Sequence, residues 1–344
     1  MEVFIFPRPA WLSWLYDSDL IHAFSKLTSL PSLPLHIHHV LGAFLVYHTI
    51  FLVISPILST LILPDIYPKF NKRTRINWDV HVVSFVQSSF ICSFALWVMY
   101  TDTQRAAWRS QDEEGMLGRV FGYTAASGAV QGYAAGYFLW DLVMSAWYLE
   151  IFGPGFLAHA ASAVAVYNLG FRPFVNFYAP IFVLFELSSP FLNIHWFCDK
   201  VGLTGSRTQL INGFFLLSTF FGCRVVYGTW SGYLVMTDVF NLYRNPPAVL
   251  SMTSGNMDAE GDAISHPFAG KSVPLWLACV YLSSNSILNL LNYYWFTKMV
   301  QTVASRFTGD NKGGKGRKVA AGVIETEAKV ATGVENTEVR KRKA

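Results

Sequence analysis

Charge is what this sequence has least of. Lys, Arg, Asp and Glu make up 14% of its 344 residues, while 52% are hydrophobic and 16% aromatic. A soluble domain ordinarily carries about 25% charge and needs it to cover its surface. So little polar surface excludes a water-soluble globule of this size and points to a polytopic membrane protein. Cysteine is scarce too. Cys92, Cys198, Cys223 and Cys279 stand far apart with no CxxC pair, so they supply neither a disulfide framework nor a zinc site and read as small buried hydrophobes. The first 38 residues lack a basic stretch followed by an apolar core, so no cleaved signal peptide is expected. No nucleic-acid motif accompanies the basic residues, and no nucleic-acid partner is expected.

What the chain has in quantity is long apolar runs. A helix needs about 20 mostly apolar residues to cross a bilayer. Runs near 39–63, 78–100, 208–235 and 273–299 meet that length. Breaks at "EIFGPGF" (150–156) and "LGFRPF" (169–174) divide the remainder into a span ending near Leu149, a short one around 156–170 and one from 174 to 195. The expected fold is all-α, a polytopic membrane helix bundle of about seven spans. The short fourth one is a candidate re-entrant helix surrounded by protein. With that count, one set of loops and the tail carries 17 Lys and Arg and the other set 8. The positive-inside rule then places the N-terminus in the lumen and the C-terminus in the cytosol.

Six polar residues stand inside apolar runs: Asp141, His159, Glu186, Asn193, Asn212 and Arg224. A charge at the middle of a membrane helix costs about 2.5–3.5 kcal/mol on insertion scales, so such residues face the bundle interior. Glu186 and Asn193 are seven apart and share a helix face, with Ser189 and Pro190 between them. Pro190 is expected to free the carbonyl of Glu186, which then needs another donor. Two readings are open. These residues form hydrogen bonds that lock helices together, with Arg224 paired to Glu186 or Asp141, or they line a lipid pocket. Asn285, Asn289 and Asn292 read as helix packing. His36, His38 and His39 have metal-like spacing but no nearby carboxylate, so they read as interfacial histidines. His48 and His81 read as packed single residues. No metal and no cofactor is expected.

In this order and spacing, "NWDVHVVSFVQS", "GYFLWDLVMS", "LAHAASA", "FELSSPFLNIHWFCDKVGLTGS" and "LINGFFLLSTFFGCRVVYG" resemble the TLC family of multispan endoplasmic-reticulum proteins, which includes the ceramide synthases and the translocating-chain-associating protein. The lead-in "LPLHIHHVLGAF" is similar to fungal members in particular. The resemblance places a TLC domain at 73–300, with an interfacial segment at 1–38 and the first span, 39–63, ahead of it. A disordered basic cytosolic tail is expected at 306–344; its end, "KRKA", is similar to a dibasic retrieval signal. Ceramide synthases carry two adjacent histidines and a later His-Asp and Ser-Asp block. Here the first pair is Ala158-His159, and the later block is Phe185-Glu186 with Ser188-Ser189.

The resemblance therefore implies a membrane protein that binds or senses lipid and contributes to lipid homeostasis, located in the endoplasmic reticulum. Membrane lipid is its expected partner, within a homo- or hetero-oligomer. The alternative is an acyltransferase that uses acyl-CoA as substrate to acylate a lipid amine. It would have His159 as base and Glu186 as its orienting partner, since acyl transfer to an amine needs a group to take the proton. A third reading, from another branch of the family, is a partner in membrane-protein insertion.

Overall fold

The computed structural model describes residues 10–245 and 273–307. Beyond residue 307 the expected tail, with its "KRKA" end, lies outside the described residues. Seven longer helices are labelled here: α1 (Leu33–Ile62), α2 (Lys72–Thr101), α3 (Ala125–Trp147), α4 (Pro154–Leu169), α5 (Asn176–Lys200), α6 (Arg207–Arg244) and α7 (Leu275–Phe307). No strand occurs among the described residues. Four of these helices, α1, α2, α5 and α6, are long and apolar enough to cross a membrane. Their outward faces carry large apolar side chains, including Leu61, Ile62, Leu210 and Phe214. At 1.5 Å per residue α4, with 16 residues, reaches about 24 Å, short of a hydrocarbon core of about 30 Å.

Local chemistry sets the helix starts. Asn71 Oδ1 accepts from Thr74 N at 2.9 Å to open α2, Thr124 Oγ1 from Ser127 N at 3.2 Å for α3, and Ser206 Oγ from Gln209 N at 3.2 Å for α6. Each bond satisfies an amide that the first turn leaves without a partner. Ahead of α1, the helix Asp19–Thr28 exposes Leu20, Phe24 and Leu27 at helical spacing.

The closest packing is between α1 and α3, where Gly128, Gly132 and Gly136 repeat every four residues along one stripe of α3. A methyl group added at Gly136 would lie 2.3 Å from the Val40 carbonyl oxygen, and one at Gly132 would lie 2.9 Å from His39 Cβ. Small residues at this spacing let two membrane helices approach to backbone contact. The stripe also seats the histidines. His36 and His39 are buried, with their Nδ1 atoms 3.0 Å apart, and His36 Nε2 bonds Tyr123 Oη. They are therefore packed inside the α1–α3 seam rather than exposed. The glycines leave room for the imidazoles inside the seam. No group of three or more metal-ligating side chains occurs among the described residues.

A second set of contacts runs α2–α5–α6–α7, and α2 and the start of α5 also touch α3. The motif "NWDVHV" joins these parts. Trp78 Nε1 donates to Ser59 Oγ at 2.8 Å, and Asp79 accepts from Ser55 Oγ at 2.6 Å and from Tyr67 Oη at 2.9 Å. One turn thus fixes the end of α1 and the connecting loop against α2.

At the opposite end of α2, the helix Glu113–Phe121 presents Arg119 to Asp238 of α6 in a two-pronged pair, Nε to Oδ2 at 2.6 Å and Nη2 to Oδ1 at 3.0 Å. Tyr178 Oη donates to the same carboxylate at 2.8 Å. Arg119 Nη1 reaches the carbonyls of Trp108 and Ser110 at 2.8 and 2.5 Å. Both charges are almost fully buried, and their remaining hydrogen-bonding capacity is met, the condition under which a buried pair is tolerated.

Gly136→Val is expected to part α1 from α3, costing about 1–3 kcal/mol as overpacking and broadening the size-exclusion profile in detergent. Gly213→Ala, at a site with nothing within 4 Å, should leave thermal unfolding unchanged. Asp238→Leu alone should destabilise by about 3–5 kcal/mol. Arg119→Leu together with Asp238→Leu should recover part of that loss in a double-mutant cycle followed by thermal unfolding.

Candidate functional site

The site forms where α5 departs from α-helical geometry. Leu184–Ser188 is a 3-10 turn, followed by Ser189–Lys200 with Pro190 in its first turn. In an α-helix the carbonyl of Phe185 would accept the amide of Ser189. Here that amide bonds the carbonyl of Glu186 instead. The Glu186 carbonyl, deprived of an α-helical donor by Pro190 as expected, takes the Ser189 amide, and the Phe185 carbonyl gives up its α-helical partner in turn. Arg224 supplies the donor, Nε to Phe185 O at 2.7 Å, and its guanidinium stands 4.8 Å from the centre of the Phe220 ring.

Arg224 lies within a π-helical stretch of α6, Phe220–Tyr227, where the wider turn bulges the helix toward α5. Gly228 follows, and a methyl group there would lie 2.5 Å from Phe185 Cε1. Glycine therefore makes room for the Phe185 ring while Arg224 holds that residue's carbonyl. Arg224 forms no ion pair with Glu186 or Asp141, the pairing that one of the two sequence readings offered. Its charge is used on the backbone.

Glu186 is consequently left without a cation. Its Oε2 accepts from Ser189 Oγ at 2.7 Å, and the side chain is half-buried. Its charge is felt at Tyr137 and Asp141 on α3, at His159 and Tyr167 on α4, and at Cys92 on α2. Five residues from three helices thus lie within electrostatic reach of one carboxylate. Asp141 and His159 form no hydrogen bond with any described residue. α4 packs on α3 and makes no comparable contact with α5 or α6. Only Ala160 of α4 is buried, and His159 is exposed. The arrangement brings acidic groups on α3 and α5, a histidine on α4 and the Arg224 guanidinium on α6 within electrostatic reach of one another, with His159 on the exposed side.

Asn193 and Asn212 are placed differently. Asn193 is 2% exposed; its Oδ1 is 2.7 Å from His81 Nδ1, and its Nδ2 donates to Ser84 Oγ at 3.1 Å. His81 stacks on Trp196 at 4.0 Å between ring centres. Asn212 Nδ2 donates to the Phe191 carbonyl at 2.7 Å. Both asparagines are spent on joining helices, Asn193 between α5 and α2 and Asn212 between α6 and α5. Of the six residues singled out in the sequence, Asp141, His159, Glu186 and Arg224 lie within electrostatic reach of one another, and the two asparagines join the neighbouring helices.

The rule that singles out Asp141, a carboxylate inside an apolar span, applies equally to Asp79 and Asp238, which sequence reasoning passed over. Asn285 and Asn289 bond each other at 3.0 Å, and a methyl group at Gly232 would meet both, so they pack α7 against α6. All four cysteines are free; Cys92 and Cys198 are buried, but Cys279 is exposed, unlike the small buried hydrophobe expected.

A TLC domain is matched over residues 77–301. A TLC domain-containing protein of Schizosaccharomyces pombe is 34% identical over 294 residues, covering 86% of this chain and 88% of that one. The Saccharomyces cerevisiae protein named topoisomerase I damage affected protein 4 is 26% identical over 293 residues, 82% of this chain and 91% of its own length. Human TLC domain-containing protein 4 is 27% identical over 164 residues, 46% of this chain and 59% of that one. No solved structure matches the chain. The domain match and the 34% identity over most of both chains place this protein in the TLC-domain family.

Proposed function

We propose that this protein binds or senses a membrane lipid in the cleft between α3, α4, α5 and α6 and contributes to lipid homeostasis in the endoplasmic reticulum. One observation carries the reading. Glu186 and Asp141 are carboxylates inside a bundle whose nearest cation, Arg224, is engaged by a backbone carbonyl. Intramembrane charges without a structural partner mark ligand sites by default. An opening along α4 gives a lipid lateral access, and a polar headgroup with hydrogen-bond donors would satisfy the two acids. In this reading α1 to α7 make seven crossings, the exposed apolar stripe of Asp19–Thr28 lies in the membrane interface, and the positive-inside count keeps the C-terminus cytosolic.

An acyl-CoA-dependent acyltransferase is the second reading, favoured by the reach of the Glu186 charge to His159. It has less support, because Glu186 accepts from Ser189 and makes no hydrogen bond with the imidazole. A general base requires an orienting contact within about 2.6–3.2 Å, formed in the loaded state if not before.

The discriminating experiment purifies the full chain in mild detergent and identifies retained lipids by mass spectrometry. A defined lipid is expected in the wild type and is expected to be lost in Glu186→Ala and Asp141→Ala while their unfolding temperatures hold. Asn193→Ala should lower stability by about 1–3 kcal/mol. The same preparation is supplied with acyl-CoA and a long-chain base. Turnover abolished by His159→Ala would replace the binding reading with the acyltransferase. Wild type carrying no lipid and showing no turnover would reduce the cleft to helix packing.

A further inference from the structure

A second cavity, of about 370 Å³, lies at the end of the bundle where α2 gives way to the 102–121 connection. It is remote in kind from the acidic cleft, because its polar wall is basic: Arg105, Arg109 and Arg119 all line it. Arg119 is neutralised by Asp238. Arg105 is not neutralised. It is 1% exposed, its Nε and Nη2 both donate to the single carbonyl of Phe177 at 3.2 and 3.0 Å, and its guanidinium lies 4.3 Å from the centre of that residue's ring.

Its third nitrogen, Nη1, is buried with no hydrogen-bond partner. A buried guanidinium donor left unpaired costs more than an ordinary unsatisfied amide, and burial holds this group below its ordinary pKa. The nearest carboxylate, Asp102, accepts from the backbone amide of Arg105 at 2.9 Å and caps the short helix Thr103–Ala107. It makes no ion pair with the guanidinium among the described residues. Arg109 stands exposed at the mouth, bonded to the Met99 carbonyl at 2.8 Å, so its charge too is unpaired.

The remaining wall says what kind of anion would fit. Met99, Ile181 and Leu234 make it apolar on the side of the spanning helices, and Trp230, 57% exposed, stands at its edge. Arginine beside tryptophan, at the level where membrane helices end, is the pairing that meets lipid headgroups. Two guanidinium groups suit the tetrahedral oxygens of a phosphate better than a neutral hydroxyl, since charge-assisted bonds from arginine to phosphate are about twice as strong as neutral ones.

From this geometry we infer that the cavity is a binding site for a phosphate-bearing lipid headgroup, with Arg105 donating from inside and Arg109 closing on the phosphate from the mouth. The site is separate from the acidic cleft and does not depend on its occupant.

The test titrates the full chain in detergent with dihexanoyl phosphatidic acid, reading tryptophan fluorescence, with dihexanoylglycerol and inorganic phosphate as the other probes. Saturable binding of phosphatidic acid is expected, about tenfold weaker in Arg109→Gln, about 1.4 kcal/mol, and unchanged in Glu186→Ala. Arg105→Gln removes a carbonyl cap and risks misfolding, so the exposed Arg109 carries the experiment. If inorganic phosphate displaces the lipid only at far higher concentration, the headgroup is lipid-borne. Displacement at equal concentration supports the same phosphate chemistry with a free ion as occupant. Dihexanoylglycerol binding as tightly as phosphatidic acid would overturn the proposal, as would an affinity that Arg109→Gln leaves intact.

Discussion

Inside a bilayer a backbone carbonyl has no water to turn to, and the Phe185 carbonyl stands where α5 tightens into a 3-10 turn and drops its usual partner. Arg224 meets that need from the neighbouring helix. The geometry around it follows from this one bond. α6 widens into a π-helical turn at the arginine, Gly228 yields space to the Phe185 ring, and α5 and α6 are fixed at this level. Because the guanidinium is committed to the backbone, Glu186 on the next residue keeps its carboxylate for something else.

The polar residues of the bundle thereby divide into two kinds. Asn193, Asn212, His81, Asp79 and the Arg119–Asp238 pair have direct partners on other elements, and each bond joins two helices or a helix and a loop. Such contacts average well under 2 kcal/mol in membranes, so several are needed to hold a bundle that gains nothing from helix–helix hydrophobicity. Asp141, His159 and Glu186 have no partner on another helix. They stand within electrostatic reach of one another beside α4, which is short and rests on α3. The same contrast recurs at the far end, where Arg119 is fully paired and Arg105, lining the same cavity, is not.

Much of this was legible in the sequence, for physical reasons that differ from residue to residue. Long apolar runs revealed the helices, and a charge within such a run is costly enough to flag Asp141, Glu186 and Arg224 without any structure. Which charge would meet which partner was not legible. A salt bridge between Arg224 and Glu186 satisfies two charges on paper, but Arg224 is engaged by the Phe185 carbonyl, whose α-helical partner is given up in the 3-10 turn. The burial of the histidines was not legible for a related reason. Their burial depends on the glycine stripe of α3, nearly a hundred residues away, and "ASGAVQGYAAGYF" was read only as part of a span. Proline at 190 signalled the defect in the ladder at Glu186, but not the Arg224 contact on the neighbouring Phe185 carbonyl.

The glycine stripe also bears on what counts as a unit of folding here. The recognised domain begins at residue 77, yet the face of α3 that carries Gly128, Gly132 and Gly136 is covered by α1, which ends at Ile62. A chain cut at the boundary of the match would leave three glycines and the adjoining backbone facing lipid, with nothing but hydrocarbon against a surface shaped for another helix. The domain match begins at one place in this chain and mechanical self-sufficiency at another, and the intervening helix belongs to the second.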